Sequence, residues 1–320
     1  MKSLRISPFT LLLLALMAAV YSAAGQSPQP SSPTPSSPAP SSDDPRVSVL
    51  PDVPYATAAA HPLLLDIYQP TGSVSTARPA VVLIHGGSWS SMDKSTMRTM
   101  GMFLARSGFV AFSIDYRLFS MNGGKVENPF PAQLDDVQRA VRWIRANAAK
   151  YQVDPNHIGA FGHSAGAQLA SLLGLEATRD NSDPALALYS SAVQAVVDYA
   201  GPTDFPAHHD PEDDNFLNKF LGGDYAHHAE LWQQASPVFH VSKAVSKDAA
   251  PFLIIHGTQD DNVPIAQAEE LAAKLKQAGA SVRFVKLEDT HTFSKPENRL
   301  QLALETRDFF NEYLRSASIK

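Results

Sequence analysis

The 320-residue sequence contains no cysteine, so neither disulfide bonds nor thiolate metal ligands can stabilise it. It is also short of basic residues: 26 lysines and arginines stand against 32 aspartates and glutamates, and the net charge is −6. Without a basic tract to contact phosphates, the chain is a poor candidate for binding nucleic acid. Apolar residues are plentiful, at 44%, and predict a domain with a sizeable buried core.

One apolar run, residues 9–20, stands near the N-terminus. Lys2 and Arg5 precede it and the small residues 22–24 follow it, which is the pattern of an export signal. A membrane anchor is the alternative, but a bilayer span needs about 20 apolar residues. We therefore expect a signal peptide over residues 1–25, a secreted or periplasmic protein, and no stable membrane insertion after cleavage.

A proline-rich segment follows, with seven prolines between Ser27 and Pro45. Serine, threonine and alanine fill most of the remaining positions, so this segment cannot build a core. We expect a disordered linker over residues 26–46, which is either a tether or a dispensable leader. The catalytic domain is expected over residues 47–320.

Within that domain, apolar runs alternate with helical periodicity. Runs typical of buried strands lie at residues 63–68, 80–84, 109–114, 157–161, 193–197, 252–255 and 282–287. Helices are expected at residues 94–107, 132–149, 165–175, 265–278 and 298–314. This order predicts an α/β fold with a mostly parallel central sheet and helices on both faces. Residues 201–247 fit the pattern poorly and are expected to form a cap-like insertion above the carboxyl edge of the sheet.

The clearest chemical motif is the pentapeptide Gly162-His163-Ser164-Ala165-Gly166, between a predicted strand and a predicted helix. This is a G-x-S-x-G nucleophile elbow in the context that the motif requires. The turn is so tight that side chains at positions 162 and 166 would collide, and both are glycine. We therefore predict that Ser164 is a nucleophile, exposed over the N-terminus of a helix.

A serine nucleophile needs a base, and in this fold the chain order is serine, acid, histidine. His291 stands after the last predicted strand, where the base belongs. The acid should follow the preceding strand, and Asp260 is our choice, with Asp261 as the alternative. The acid would orient the imidazole and stabilise the imidazolium.

Donors for an oxyanion are expected from the loop His85-Gly86-Gly87-Ser88-Trp89, which directly follows a buried strand. We assign the N–H groups of Gly86, Gly87 and Ala165 to this oxyanion hole. Trp89 and His163 are candidate substrate-binding residues, although Trp89 could equally pack the loop.

Other histidines are assigned structural roles. His85 and His256 each precede a glycine at a strand end and are expected to form structural hydrogen bonds. The doublets at 208–209 and 227–228 are interpreted as part of a polar lid, because adjacent residues in an extended segment point in opposite directions. We expect no metal and no cofactor.

Four ordered motifs resemble one known family: HGGSW, GHSAG, HGTQDDNVP and DTHTF. They are similar to those of the hormone-sensitive-lipase-like carboxylesterases, most closely the bacterial feruloyl-esterase-type branch, over residues 47–316. The resemblance implies the α/β-hydrolase fold, Ser164, Asp260 and His291 as the triad, and Gly86, Gly87 and Ala165 as oxyanion donors. Ser88 stands where lipase-like members often carry a third glycine, a difference also seen in formamidases that open N-formylkynurenine.

These observations predict a cofactor-free serine carboxylesterase acting through an acyl-enzyme. Small-molecule or polysaccharide-linked esters, acetyl or feruloyl, are the expected substrates. The alternatives are an arylformamidase or amidase with the same triad and, from a different class, a non-catalytic binding module that keeps the fold. The sequence makes no prediction about the oligomeric state.

Overall fold

A computed structural model describes residues 44–58, 61–72, 76–179, 183–208, 215–241 and 250–315. The expected signal peptide and nearly all of the expected linker lie outside the described residues. In the described ranges, no helix combines the length and the apolar character needed to cross a membrane.

Eight strands of the described chain form one sheet in the order β1-β2-β4-β3-β7-β8-β9-β10. They are β1 (Val47–Ala58), β2 (His61–Pro70), β3 (Arg78–Ile84), β4 (Val110–Ile114), β7 (Val153–His163), β8 (Ala195–Tyr199), β9 (Phe252–Gly257) and β10 (Val282–Leu287). A separate hairpin pairs β5 (Ser120–Asn122) with β6 (Lys125–Glu127). All pairs from β4 to β10 are parallel, whereas β2 is antiparallel to both of its neighbours. The predicted mostly parallel sheet is confirmed.

The helices are α1 (Arg98–Arg106), α2 (Ala132–Ala146), α3 (Ala165–Leu175), α4 (Asn215–Phe220), α5 (Tyr225–Ala235), α6 (Pro237–His240), α7 (Ile265–Ala278) and α8 (Pro296–Leu314). A 3₁₀ turn, Lys94–Met97, precedes α1 and occupies the first part of the helix expected at residues 94–107. Helix α7 ends where Gly279 adopts a left-handed conformation (φ 90°), as glycine after a helix commonly does.

Side chains of the parallel strands point alternately into two cores. In β3, Ala80, Val82 and Ile84 join the core that α2, α3 and α7 cover. Val81 and Leu83 join the opposite core, which α1 and α8 cover. Because both faces are buried, these strands read as continuous apolar runs, which is why the sequence predicts them.

The edge strand β1 was not predicted. Most of its residues are at least partly exposed, and its pairing with β2 shifts register between Leu50 and Val53 and again between Pro54 and Ala56. Pro51 and Pro54 lie at these irregularities, and proline in a sheet is confined largely to edges and bulges. The strand therefore has no apolar run that sequence reading could detect.

Residues 201–247, the cap insert, are more helical than their sequence suggested, since they contain α4, α5 and α6. Phe205, Phe220 and Trp232 are buried and belong to the same core as α2 and α3. The ring of Phe220 stacks on Trp89 of the loop after β3, with centroids 4.4 Å apart. The cap insert is thus packed onto the domain through aromatic side chains.

Gly159 in β7 allows α8 to approach the sheet closely. A Cβ at this position would lie 2.7 Å from a ring carbon of Phe310 and 2.9 Å from a methyl carbon of Leu314. We predict that Gly159→Ala lowers the free energy of unfolding by about 1–3 kcal/mol through overpacking, measured by urea denaturation. Adding Phe310→Leu should recover part of that loss in a double-mutant cycle. Strictly additive effects of the two substitutions would contradict the proposed clash.

Candidate active site

Ser164 lies in the tight turn between β7 and α3. Its backbone has φ 55° and ψ −122°, a conformation that costs a non-glycine residue on the order of 1–3 kcal/mol. Its N–H donates to the carbonyl of Tyr199 at 2.9 Å. A Cβ at Gly162 would collide with the backbone of Gly166, and one at Gly166 would collide with the carbonyl of Ile84. The glycines are therefore required by close backbone approach, as the sequence predicts.

The structure brings the three predicted triad residues together. The Oγ of Ser164 is 2.8 Å from Nε2 of His291, and Nδ1 of His291 is 2.8 Å from Oδ2 of Asp260. Ser164, Asp260 and His291 follow β7, β9 and β10, whose carboxyl ends lie at one edge of the parallel sheet. The side chain of His291 remains 12% exposed, whereas that of Asp260 is fully buried. This arrangement can activate a hydroxyl group.

Asp260 rather than Asp261 contacts the imidazole. Besides His291, its carboxylate accepts hydrogen bonds from the backbone N–H groups of Asn262, at 2.9 Å, and Val263, at 2.8 Å. Burial alone would raise the pKa of Asp260, but hydrogen bonds from His256 and His291 outweigh it and hold the pKa well below the usual range. Asp261 is exposed to solvent. The geometry favours Asp260 as the acid.

Two of the residues expected to form an oxyanion hole, Gly86 and Ala165, lie beside Ser164. A Cβ at Gly86 would lie 3.2 Å from the Cβ of Ser164, so this backbone lies directly against Ser164. Gly87 has φ 102°. Within the described residues, the N–H groups of Gly86, Gly87 and Ala165 donate to no backbone or side-chain acceptor. They are free to bind a substrate oxygen, and their catalytic role stays a prediction.

Trp89 is a packing residue in the structure. Only 3% of it is exposed, and its indole Nε1 donates to Oε1 of Gln168 at 3.0 Å. Its ring contacts Phe205 and Phe220 of the cap insert. Of the two alternatives for Trp89, these contacts favour packing of the loop over contact with substrate.

His163 lies beside the imidazole of His291 and is half-buried. Its ring stacks on Tyr199 with centroids 4.4 Å apart, and its Nε2 lies 3.4 Å from the carbonyl oxygen of His291. Burial, reinforced by the neighbouring His291, lowers the pKa of His163 to about 3. His163 is therefore an uncharged ring at the side of the site, and its contact with substrate stays a prediction.

Two residues that support the site, Tyr199 and Asp289, are not among the residues predicted from the sequence. Tyr199, at the end of β8, accepts from the N–H of Ser164 through its carbonyl and from the N–H of Phe293 through its hydroxyl. The buried carboxylate of Asp289 accepts from Thr290, Ser294, Lys295 and Asn298. These hydrogen bonds hold the loop that carries His291 in one conformation. Two features of the sequence could have indicated them: Tyr199 is an aromatic residue at the end of a strand, and Asp289 stands two positions before His291.

The geometry predicts how Ser164 reacts with a fluorophosphonate probe. Asp260→Asn should slow labelling by about 10³-fold, because the imidazole loses the partner that fixes its tautomer. Asp261→Asn, which changes an exposed carboxylate, should label within about twofold of the parent rate. The rates can be followed by gel fluorescence, with Ser164→Ala as the unlabelled control. A larger loss at position 261 would reverse the assignment of the acid.

Comparisons with known proteins find esterases of similar sequence and structure. Esterase LipQ of Mycobacterium tuberculosis is 31% identical over 246 residues, which are 75% of this chain and 56% of that protein. The chain spans about half the length of the curated relatives it matches. A truncated carbohydrate esterase from gut microbiota has a TM-score of 0.70 and 28% identity, covering 85% of this chain and 98% of that one. Butyrate-bound esterase Est2 of Thermogutta terrifontis has a TM-score of 0.69 and 26% identity, covering 84% and 94%.

The BD-FAE family matches residues 65–275 of the sequence, which is more than half of the chain. The match includes Ser164 and Asp260 and ends before His291. The esterases of similar structure have the α/β-hydrolase fold, and this chain has a mostly parallel central sheet with flanking helices. Because the family match covers more than half of the chain, and the sheet and the elbow at Ser164 are consistent with it, this chain belongs to the BD-FAE family of α/β-hydrolases.

Proposed function

We propose that this protein is a carboxylic ester hydrolase that works through an acyl-enzyme intermediate. The observation that carries the proposal is the continuous hydrogen-bonded line from Ser164 Oγ through the His291 imidazole to the Asp260 carboxylate, with 2.8 Å at both steps. The esterase names of the similar proteins support the same reaction class.

In the acylation step, Ser164 Oγ attacks the carbonyl carbon of the ester while its proton moves to Nε2 of His291. The carbonyl oxygen becomes an oxyanion, and the unengaged N–H groups of Gly86, Gly87 and Ala165 would bind it. When the tetrahedral intermediate collapses, the bond to the leaving alkoxide breaks and His291 returns its proton to that oxygen. The alcohol leaves, and the acyl group stays on Ser164.

In the deacylation step, water takes the place of the alcohol. His291 removes one proton from the water, whose oxygen attacks the acyl carbon through a second tetrahedral intermediate. The bond to Ser164 Oγ then breaks and the same proton returns to that oxygen. The carboxylic acid leaves, and Asp260 remains ionised throughout as the partner of the imidazolium.

For substrates, we propose small or polysaccharide-linked esters of the acetyl or feruloyl type. Similarity to a carbohydrate esterase over 98% of that chain supports the carbohydrate-linked class. Similarity to an esterase with bound butyrate supports a short acyl group. The predicted export signal supports an extracellular polymer as the source of the ester.

A panel of substrates tests the proposal. Purified protein should hydrolyse p-nitrophenyl acetate and methyl ferulate, and Ser164→Ala should lower kcat by about 10⁴-fold or more while remaining folded. Ser190→Ala, which changes an exposed serine on the loop before β8, serves as the matched control with full activity. Cleavage of N-formylkynurenine alone would replace the esterase assignment with a formamidase, and no turnover of any substrate would support a binding module.

We also propose that the protein is exported and cleaved near residue 25, because residues 1–25 have the pattern of a signal peptide. Expression of the full chain in a Gram-negative host, followed by cell fractionation and mass spectrometry, should find the shortened protein outside the cytoplasm. A chain beginning at residue 26 should stay in the cytoplasm. An uncleaved Met1 form confined to the cytoplasm would refute export.

A further inference from the structure

His256 is a buried histidine that the mechanism above does not use. It lies one residue before the end of β9 and has no solvent exposure. Its Nε2 is 2.8 Å from the carbonyl oxygen of Val263 and 3.1 Å from Oδ2 of Asp260. Both neighbours are acceptors, so Nε2 carries the proton; its N–H donates to the carbonyl of Val263 and lies close to the Asp260 carboxylate. Nδ1 is buried and has no partner in the described part of the chain.

The contact with Oδ2 completes the set of N–H groups around the triad acid. Oδ1 of Asp260 accepts from the backbone N–H groups of Asn262 and Val263. Oδ2 accepts from Nδ1 of His291 and lies 3.1 Å from the protonated Nε2 of His256. Each carboxylate oxygen thus has two N–H groups within 3.1 Å. The carboxylate cannot rotate without breaking at least one of these bonds.

His256 also holds the loop that carries Asp260. Its Nε2 bond to Val263 ties the end of β9 to the far side of the loop, and Val263 in turn donates its N–H to Asp260. Asp260 lies between these two anchoring points. The position of the acid relative to His291 therefore depends on a side chain that contacts neither His291 nor Ser164 by a hydrogen bond.

We propose that His256 is a positioning residue that sets the orientation and the hydrogen-bonding strength of the triad acid, a role that rests on the proposed function. With its Nε2–H 3.1 Å from Oδ2, His256 stabilises the carboxylate and weakens it as an acceptor for the Nδ1–H of His291. The imidazolium is then stabilised less strongly than it would be by an otherwise unpaired Oδ2. His256 thus keeps Asp260 in place to support His291, while preventing the carboxylate from stabilising the protonated form of His291 too strongly.

Other titratable groups share this environment and must stay constant in any test. His163, the last residue of β7, interacts electrostatically with His291, Asp260 and His256. Asp198, from β8, interacts with His256, and Tyr199 interacts with Asp260 and Asp289. The groups to be left unchanged are His163, Asp198, Tyr199 and Asp289.

The test is the pH dependence of ester hydrolysis in two variants. His256→Phe keeps a planar ring but removes the donor. The stronger acceptor Oδ2 should then keep His291 protonated to higher pH, moving the acidic limb of kcat/KM upward by about half a unit. Loss of orientation should lower kcat by about tenfold with KM within about twofold. His256→Gln, whose amide can donate from nearly the same place, should return the limb towards the parent position and recover part of kcat.

Three controls make the result specific. His157→Phe removes a histidine that pairs with Asp154 at 2.8 Å in the first half of β7, away from the site, and should leave the pH profile unchanged. In an Asp260→Asn background, His256→Phe should change kcat by no more than about twofold, because its effect passes through the carboxylate. Thermal unfolding is measured for each variant. If His256→Phe does not fold, His256→Asn, whose shorter amide cannot reach Oδ2, replaces it.

A folded His256→Phe variant with the parent pH profile and kcat would overturn the proposal. Equal effects of His256→Phe and His256→Gln would also overturn it, since shape rather than the donated hydrogen bond would then matter. An inactive parent protein, unlabelled by fluorophosphonate, would instead refute the proposed function. The two failures are therefore distinguishable.

Discussion

The imidazole of His291 forms two hydrogen bonds in opposite directions, one to a hydroxyl and one to a buried carboxylate, and the fold is arranged to make both possible. Its partners, Ser164 and Asp260, are 127 and 31 residues away in the sequence. They meet because β7, β9 and β10 run parallel and end at the same edge of the sheet. Each partner lies on its own loop, so the geometry depends on how three separate loops are fixed.

Those loops are fixed by different physical means. At the elbow, close backbone packing around two glycines holds Ser164 in its unfavourable conformation. The loop after β3 also contains positive φ at Ser88 and Trp89, which costs energy that surrounding contacts must offset. Trp89 supplies those contacts: its indole bonds to Gln168, whose amide bonds in turn to the carbonyl of Ala235 in the cap insert. The cap insert therefore supports the loop after β3.

The sequence predicted most of the fold because its signals were local. Helices α3 and α7 and strand β10 have the bounds expected from periodicity, and G-x-S-x-G located the elbow. Edge strand β1 was missed because its exposed residues and prolines give no apolar pattern. The cap insert was underestimated because α4 and α6 are short and α5 is interrupted by the non-helical backbone of His228. Their burial depends on aromatic contacts with distant segments rather than on a continuous apolar stripe.

The candidate site, like the fold, has features that the sequence predicts and features that it does not. Residue type and chain order placed Ser164, Asp260 and His291, because each follows a strand that the sequence makes visible. A structural hydrogen bond of His256 was expected, but its partner Val263, its contact with Asp260 and the hydrogen bonds of Asp289 could not be predicted, since they depend on the paths that two loops take in space. The same holds for Trp89, whose two possible roles differed only in whether aromatic rings of the cap insert would cover it.

A crystal structure of the protein after reaction with an organophosphate ester would test the central claim most directly. The account predicts phosphorus bonded to Ser164 Oγ, with one phosphoryl oxygen about 2.7–3.1 Å from the N–H groups of Gly86, Gly87 and Ala165. His291 should remain hydrogen-bonded to Asp260. An adduct on any other residue, or a phosphoryl oxygen turned away from all three N–H groups, would contradict it.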